Sequence, residues 1–243
     1  MILAIDCGNS RLKWGVHDGA KWLAQGALAY ADLAGFGDVL RQQPRAARAV
    51  VANVAGAEVG ERVGAVLAGL TFEQIRVSAA AEQCGVRNRY DHPEQLGADR
   101  WAALIGARHL HRGACLVVCA GTATTADVLD AEGAFQGGLI FPGLDLMLLS
   151  LARHTAQLPL AEGQFSGLPR NTADAIVSGC LHAQLGAIER MFAQVAADPD
   201  AACLVSGGAA ARFFGLLRMP KRQVDNLVLE GLARIGLEQE EEA

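Results

Sequence analysis

Five residues near the start of the chain carry the chemistry a phosphate group needs. They lie in the run Asp6-Cys7-Gly8-Asn9-Ser10-Arg11-Leu12-Lys13. A turn opened by Gly8 offers backbone N–H groups, Asn9 an amide, Ser10 a hydroxyl and Lys13 an ammonium. Asp6 adds a carboxylate for the metal ion that accompanies a polyphosphate. An apolar run precedes Asp6 and another continues through Val16, so the segment reads as strand, tight polar turn, strand. A plain β-hairpin with a glycine turn would carry the same pattern, with Lys13 as a solvent-facing strand lysine.

A second turn of the same kind follows about one half-chain later. Cys119-Ala120-Gly121-Thr122-Ala123 ends one apolar run and opens a β-rich one. A third segment, Pro93-Glu94-Gln95-Leu96-Gly97-Ala98-Asp99-Arg100-Trp101, starts a helix and sets a carboxylate beside a guanidinium. On sequence grounds alone Asp99 reads first as a helix-surface aspartate paired with Arg100.

The elements that must hold these residues follow from periodicity. Strands are expected near 2–6, 11–17, 22–28, 48–54 and 72–77, and helices near 31–42, 57–69 and 93–109. The order repeats with strands near 115–119, 124–129 and 134–141 and helices at 144–154, from Asn171 onward, after Gly207-Gly208, and from Asp225. Two halves, 1–112 and 113–243, are expected. Three strands, a helix and then alternating strand and helix, twice over, is an α/β pattern. It is the duplicated ribonuclease-H-like layout of the actin, Hsp70 and sugar-kinase superfamily, in which two halves close on ATP.

Composition narrows the partners. Of 243 residues 51% are apolar and 19% charged, enough for a large core. The net charge is −5 and no Lys/Arg run occurs, which argues against nucleic acid. Met1 leads straight into a core-type strand, and no apolar stretch is long enough to span a membrane, so a cytoplasmic protein is expected. The six cysteines form no CxxC pair and read as small core hydrophobes.

The chain resembles the type III pantothenate kinases, a family that includes proteins named Bvg accessory factors. The resemblance rests on residues 6–13, 93–101, Ala120–Ala123, Gly137-Gly138-Leu139-Ile140-Phe141-Pro142-Gly143, Thr155–Pro159 and Asn171-Thr172. It implies transfer of the γ-phosphoryl of ATP to the primary hydroxyl of pantothenate, the first step of coenzyme A synthesis. By resemblance, Asp6, Cys7, Gly8, Asn9, Ser10, Arg11, Leu12, Lys13 and Thr122 bind ATP, with Mg²⁺ at Asp6. Tyr90, Gly97, Ala98, Asp99, Arg100 and Thr172 bind pantothenate, Asp99 acting as base and Arg100 suiting the substrate carboxylate. The resemblance also implies a homodimer and a monovalent cation, K⁺ or NH₄⁺.

Two positions depart from the family pattern. Ser10 replaces a threonine and keeps the hydroxyl. Cys119 stands where the family has an aspartate associated with the monovalent cation, and a thiol is a poor ligand for a hard cation. Two other readings fit the phosphate turns: a kinase of the same superfamily with another small acceptor, and a non-catalytic regulatory accessory factor.

Overall fold

A computed structural model describes residues 1–70, 73–155, 158 and 162–241. It contains two compact units. The first comprises Met1–Arg112, Gly133–Phe135 and Asn226–Ala243, the second Gly113–Glu132 and Gln136–Asp225. The sequence reading cuts the chain once, after residue 112, whereas these units return two later segments to the first.

The first unit is built on strands β1 (Ile2–Cys7), β2 (Leu12–His17), β3 (Trp22–Leu28), β4 (Arg48–Asn53) and β5 (Glu73–Arg76), in the order β3-β2-β1-β4-β5. β1 is buried at all six residues, as a central strand must be. It pairs antiparallel with β2 and parallel with β4, and β4 pairs parallel with β5. Phe72, where the fifth strand was expected to begin, lies outside the described residues.

Strand alternation divides this sheet into two chemically different faces. Leu3, Ile5 and Cys7 of β1 join Leu12, Trp14 and Val16 of β2 in a core that also holds Phe36 and Leu67. Phe36 belongs to α1 (Phe36–Arg41) and Leu67 to α2 (Ala57–Ala68). The helix expected over 31–42 is α-helical only in its second part. Residues Tyr30–Gly35 form a tighter 3₁₀ turn, and the closely spaced Gly35 and Gly37 disfavour a longer α-helix.

The other face carries Ile2, Ala4 and Asp6, and α3 (Ala98–Leu110) and α6 (Leu227–Glu241) belong to the same unit. α6 packs against the sheet so closely that a Cβ on Gly236 would lie 2.9 Å from Ile2 and Val50 side-chain carbons. Its crossing with α3 is tighter still. A Cβ on Gly231 would stand 1.7 Å from the Ala102 carbonyl oxygen, and one on Gly106 would stand 2.4 Å from that of Leu227. Glycine is required at both positions by backbone proximity, and this contact is why the C-terminal helix belongs to the first unit. A short hairpin, β6 (Glu82–Gln83) and β7 (Val86–Asn88), completes the unit, with β7 pairing in parallel with Ala134 and Phe135 at the start of β10 (Ala134–Pro142).

The second unit repeats the strand plan. With β8 (Cys115–Ala120), β9 (Ala123–Leu129), β11 (Ala202–Ser206) and β12 (Lys221–Gln223), its order is β10-β9-β8-β11-β12. β8 pairs antiparallel with β9 and parallel with β11, as β1 does with β2 and β4. Leu116, Val118, Ala126 and Val205 form its core with α4 (Leu144–His154) and α5 (Thr172–Phe192). Asn171 caps α5 by accepting from the Asp174 N–H at 2.9 Å. The helix expected after Gly207-Gly208 is replaced by two 3₁₀ turns, Ala210–Arg212 and Phe214–Leu216. Gly215 and Pro220 interrupt the stretch before an α-helix can become established. No helix of the described residues is long and apolar enough to cross a membrane.

Candidate active site

The alternation of β1 and β2 decides where the first charges meet. Asp6 and Lys13 stand opposite each other in the antiparallel register, so both side chains leave the same face of the sheet. Asp6 is 7% exposed. Its pKa is raised from 3.8 to about 6, first by burial and further by the charge of Asp99, while Lys13 pulls the other way. Lys13 and Asp99 are thus the charged groups that bear on Asp6. Lys13 is half-buried rather than solvent-facing.

Asp99 sits in the first turn of α3, where the helix N-terminus favours a carboxylate. Its Oδ1 accepts from the Arg100 N–H at 2.8 Å. Gly97 precedes the helix with ordinary negative φ, so its value lies in room rather than backbone freedom. A Cβ there would fall 2.7 Å from Asp99 Oδ1. Gly97→Ala is therefore expected to displace the carboxylate and cost kcat about tenfold or more, with little change in melting temperature. Steady-state kinetics beside a thermal melt checks this.

Within the 6–13 turn, Cys7 and Leu12 are buried and paired, closing the strand ends. Burial, then Asp6, pushes the Cys7 thiol up to about 12, so it contributes backbone rather than thiolate chemistry. Gly8 is half-buried, while Asn9, Ser10 and Arg11 are exposed. The Tyr30 hydroxyl donates to the Gly8 carbonyl at 2.5 Å.

Arg100 is buried against a pair of aromatic rings. Its guanidinium carbon lies 5.7 Å from the Tyr90 ring centroid and 5.8 Å from that of Phe135, and Nη1 donates to the Tyr90 hydroxyl at 3.0 Å. Asn88 steadies the loop, accepting from the Tyr90 N–H at 3.1 Å and donating to the Pro93 carbonyl at 3.1 Å. Trp101 is fully buried and donates from Nε1 to Gln83 Oε1 at 3.0 Å, fixing the helix against the β6–β7 hairpin. Phe135 and Asn88 were not singled out from sequence. The only signal at Phe135 is an apolar residue in a strand, which reads as ordinary core.

In the second unit, Thr122 is exposed at the tip of the β8–β9 turn, and its carbonyl accepts from the Gly143 N–H at 2.9 Å. Cys119 is half-buried opposite Thr125. Gly207 has φ +102°, and a Cβ there would lie 2.2 Å from the Ala120 carbonyl oxygen, so the Gly207-Gly208 segment packs its backbone against the turn. Thr172 is the exposed first residue of α5. It lines an apolar groove of about 890 Å³ together with Pro142, Met147, His154, Ile176 and Cys180. Ala156, Gln157 and Pro159 of the Thr155–Pro159 motif lie outside the described residues.

A family profile described as type III pantothenate kinase matches residues 2–194. The chain belongs to the type III pantothenate kinases. It is 60% identical to a type III pantothenate kinase from Aromatoleum aromaticum, over 98% of each chain. It is 50% identical to one from Dechloromonas aromatica, over 98% of this chain and 99% of that one. Among solved structures, a Baf family protein from Campylobacter jejuni aligns with TM-score 0.66 at 19% identity, over 98% of this chain and 99% of that one. An activator of 2-hydroxyisocaproyl-CoA dehydratase from Clostridium difficile aligns with TM-score 0.54 at 10% identity, over 100% and 97%. These two likenesses concern the fold. Membership makes this chain a pantothenate kinase, which phosphorylates pantothenate in coenzyme A biosynthesis, and so names the acceptor that phosphate turns alone leave open.

Proposed function

We propose that the Asp6–Lys13–Asp99 group is where this pantothenate kinase moves the γ-phosphoryl of ATP onto pantothenate, giving 4′-phosphopantothenate. The observation that carries this is the register that sets Asp6 and Lys13 on one face of the β1–β2 hairpin, with the Asp99 charge bearing on the same buried carboxyl. Phosphoryl transfer is achieved mainly by positioning and charge neutralisation, with little covalent work for the protein. In this reading the 6–13 turn holds the phosphates through its N–H groups, Ser10 and Lys13. Asp99 takes the proton of the substrate's primary hydroxyl. Arg100, packed against two aromatic rings and tied to the Tyr90 hydroxyl, is preorganised to receive a carboxylate. Thr122 adds an ATP contact, and Gly97, Ala98, Tyr90 and Thr172 add pantothenate contacts. ADP release with pantothenate and a panel of sugars and short hydroxy acids tests the reading. Pantothenate should be the preferred acceptor by far, and equal use of another acceptor would contradict it.

Asp6 fits Mg²⁺. Its hard oxygen donors suit the ion, and a cation would relieve an anion that burial and Asp99 both disfavour. Bound there with ATP, Mg²⁺ would neutralise charge on the phosphoryl oxygens. The second turn fits K⁺ or NH₄⁺ poorly, because Cys119 places a soft sulfur where a hard cation prefers oxygen. Initial rates measured against KCl, with choline chloride holding ionic strength fixed, are expected to show weak activation or none. Strong saturable activation would show that other groups bind the cation.

Consumption of ATP and supply of a coenzyme A precursor agree with a cytoplasmic site of action. A homodimer is supported by the apolar surface of the second unit. Ile140 is 64% exposed, Leu139 and Leu146 are also exposed, and Leu146 lines the apolar groove. Sedimentation equilibrium should return twice the chain mass, and Leu146→Glu should shift it toward the monomer. A monomeric wild type at micromolar concentration would contradict the dimer.

A further inference from the structure

Tyr30 begins the 3₁₀ turn Tyr30–Gly35, outside the phosphate motif, yet its hydroxyl donates to the carbonyl of Gly8 at 2.5 Å. The residue is itself anchored. Its own carbonyl accepts from Arg62 Nη2 at 2.9 Å, which ties the turn to α2, and its ring packs on the core around Phe36 and Leu67. Burial, then the neighbouring Cys7 and Asp6, raise the phenol's pKa, so it remains a protonated donor at any working pH.

The consequence follows from peptide geometry. A peptide unit is planar and trans, so its C=O and N–H point in opposite directions. With the Gly8 carbonyl turned toward Tyr30, the Asn9 N–H is turned away from it. Gly8 lacks the Cβ that would restrict backbone rotation, so the intrinsic cost of turning this peptide over is low. Turned over, the same unit would show a carbonyl oxygen where it had shown an N–H, and an oxygen repels phosphate.

We propose that Tyr30 is a positioning residue for the nucleotide: it holds the 8–9 peptide so that the Asn9 N–H, rather than the Gly8 carbonyl oxygen, faces the phosphates of ATP. The proposal rests on the reading of the 6–13 turn as the phosphate site. Tyr30→Phe keeps the ring and its packing and removes only the donor.

The test compares wild type, Tyr30→Phe and Lys13→Ala by steady-state kinetics, calorimetric titration with Mg·ADP, and thermal melts. Tyr30→Phe is expected to raise KM for ATP and weaken Mg·ADP about 3–10-fold, with KM for pantothenate and the ligand-free melting temperature little changed. The Asn9 amide resonance, which shifts on adding Mg·ADP to the wild type, should shift less in Tyr30→Phe, a difference that looser packing alone would not produce. Should Lys13→Ala lose nucleotide affinity while Tyr30→Phe binds as wild type, the turn binds phosphate and Tyr30 does not position it. Should neither substitution weaken Mg·ADP, the phosphate reading itself falls and takes the proposal with it. A lower melting temperature with both KM values raised equally would make Tyr30 a structural residue and overturn the proposal.

Discussion

Asp99→Asn is expected to lower kcat by ~10²–10⁴-fold while the protein still folds and binds both substrates. Asparagine keeps the shape of the side chain and can still accept from the Arg100 N–H, so the start of α3 should survive. What it loses is the capacity to accept a proton. The attacking group is an alcohol, and without a base it must shed that proton to water as the phosphoryl moves. Melting curves and substrate titrations beside kcat separate this loss from unfolding. A variant within a few-fold of wild-type kcat would remove Asp99 from the role of base.

Asp6→Asn is expected to act in opposite directions on activity and stability. Activity with Mg·ATP should fall by about 10²-fold or more, since a preorganised charge at a phosphoryl-transfer site is lost. Stability should rise. In the folded chain the Asp6 carboxyl titrates at about 6 instead of 3.8, chiefly because burial disfavours its charge. A carboxyl whose folded-state pKa is raised destabilises the fold when ionised. The penalty is absent below pH 3.8, grows between 3.8 and about 6, and is complete above that. At its full extent it amounts to at most ~3 kcal/mol, a net figure in which the attraction to Lys13 is already included. Asp6→Asn should therefore melt higher than wild type at pH 7.5, and the gap should close as pH falls toward 4. A variant that melts lower at pH 7.5, or a gap that widens on acidification, would contradict the buried-carboxylate account.

Residues joined by local geometry were legible in the sequence. Asp6 and Lys13 belong to one short motif, which marked both for a phosphate, and the antiparallel register then sets both on one face. The two glycine–hydroxyl turns and the repeated strand order could be read for the same reason. Asp99 was different. By its own helix it is an aspartate beside an arginine, and only the family resemblance marked it for chemistry. Its influence on Asp6 follows from how α3 lies in the first unit, including its close contact with α6 at Gly106 and Gly231. That contact joins residues more than a hundred positions apart, and no periodicity encodes it. Phe135 escaped notice because an aromatic residue in a strand reads the same whether it fills a core or packs on a guanidinium. The β6–β7 hairpin escaped because segments of two and three residues carry no pattern. Gly97 was singled out only within its motif. Its physical reason, space for the Asp99 carboxylate, exists only in three dimensions.

The most direct test of the account is a single-turnover experiment with γ-³²P-labelled ATP, Mg²⁺ and pantothenate, run on wild type and Asp99→Asn at saturating concentrations of both substrates. The account predicts rapid label transfer to 4′-phosphopantothenate by the wild type and transfer slowed by about 10²-fold or more in the variant, although titration shows that both bind ATP and pantothenate. No labelled 4′-phosphopantothenate from the wild type, or equal single-turnover rates in the two proteins, would contradict it.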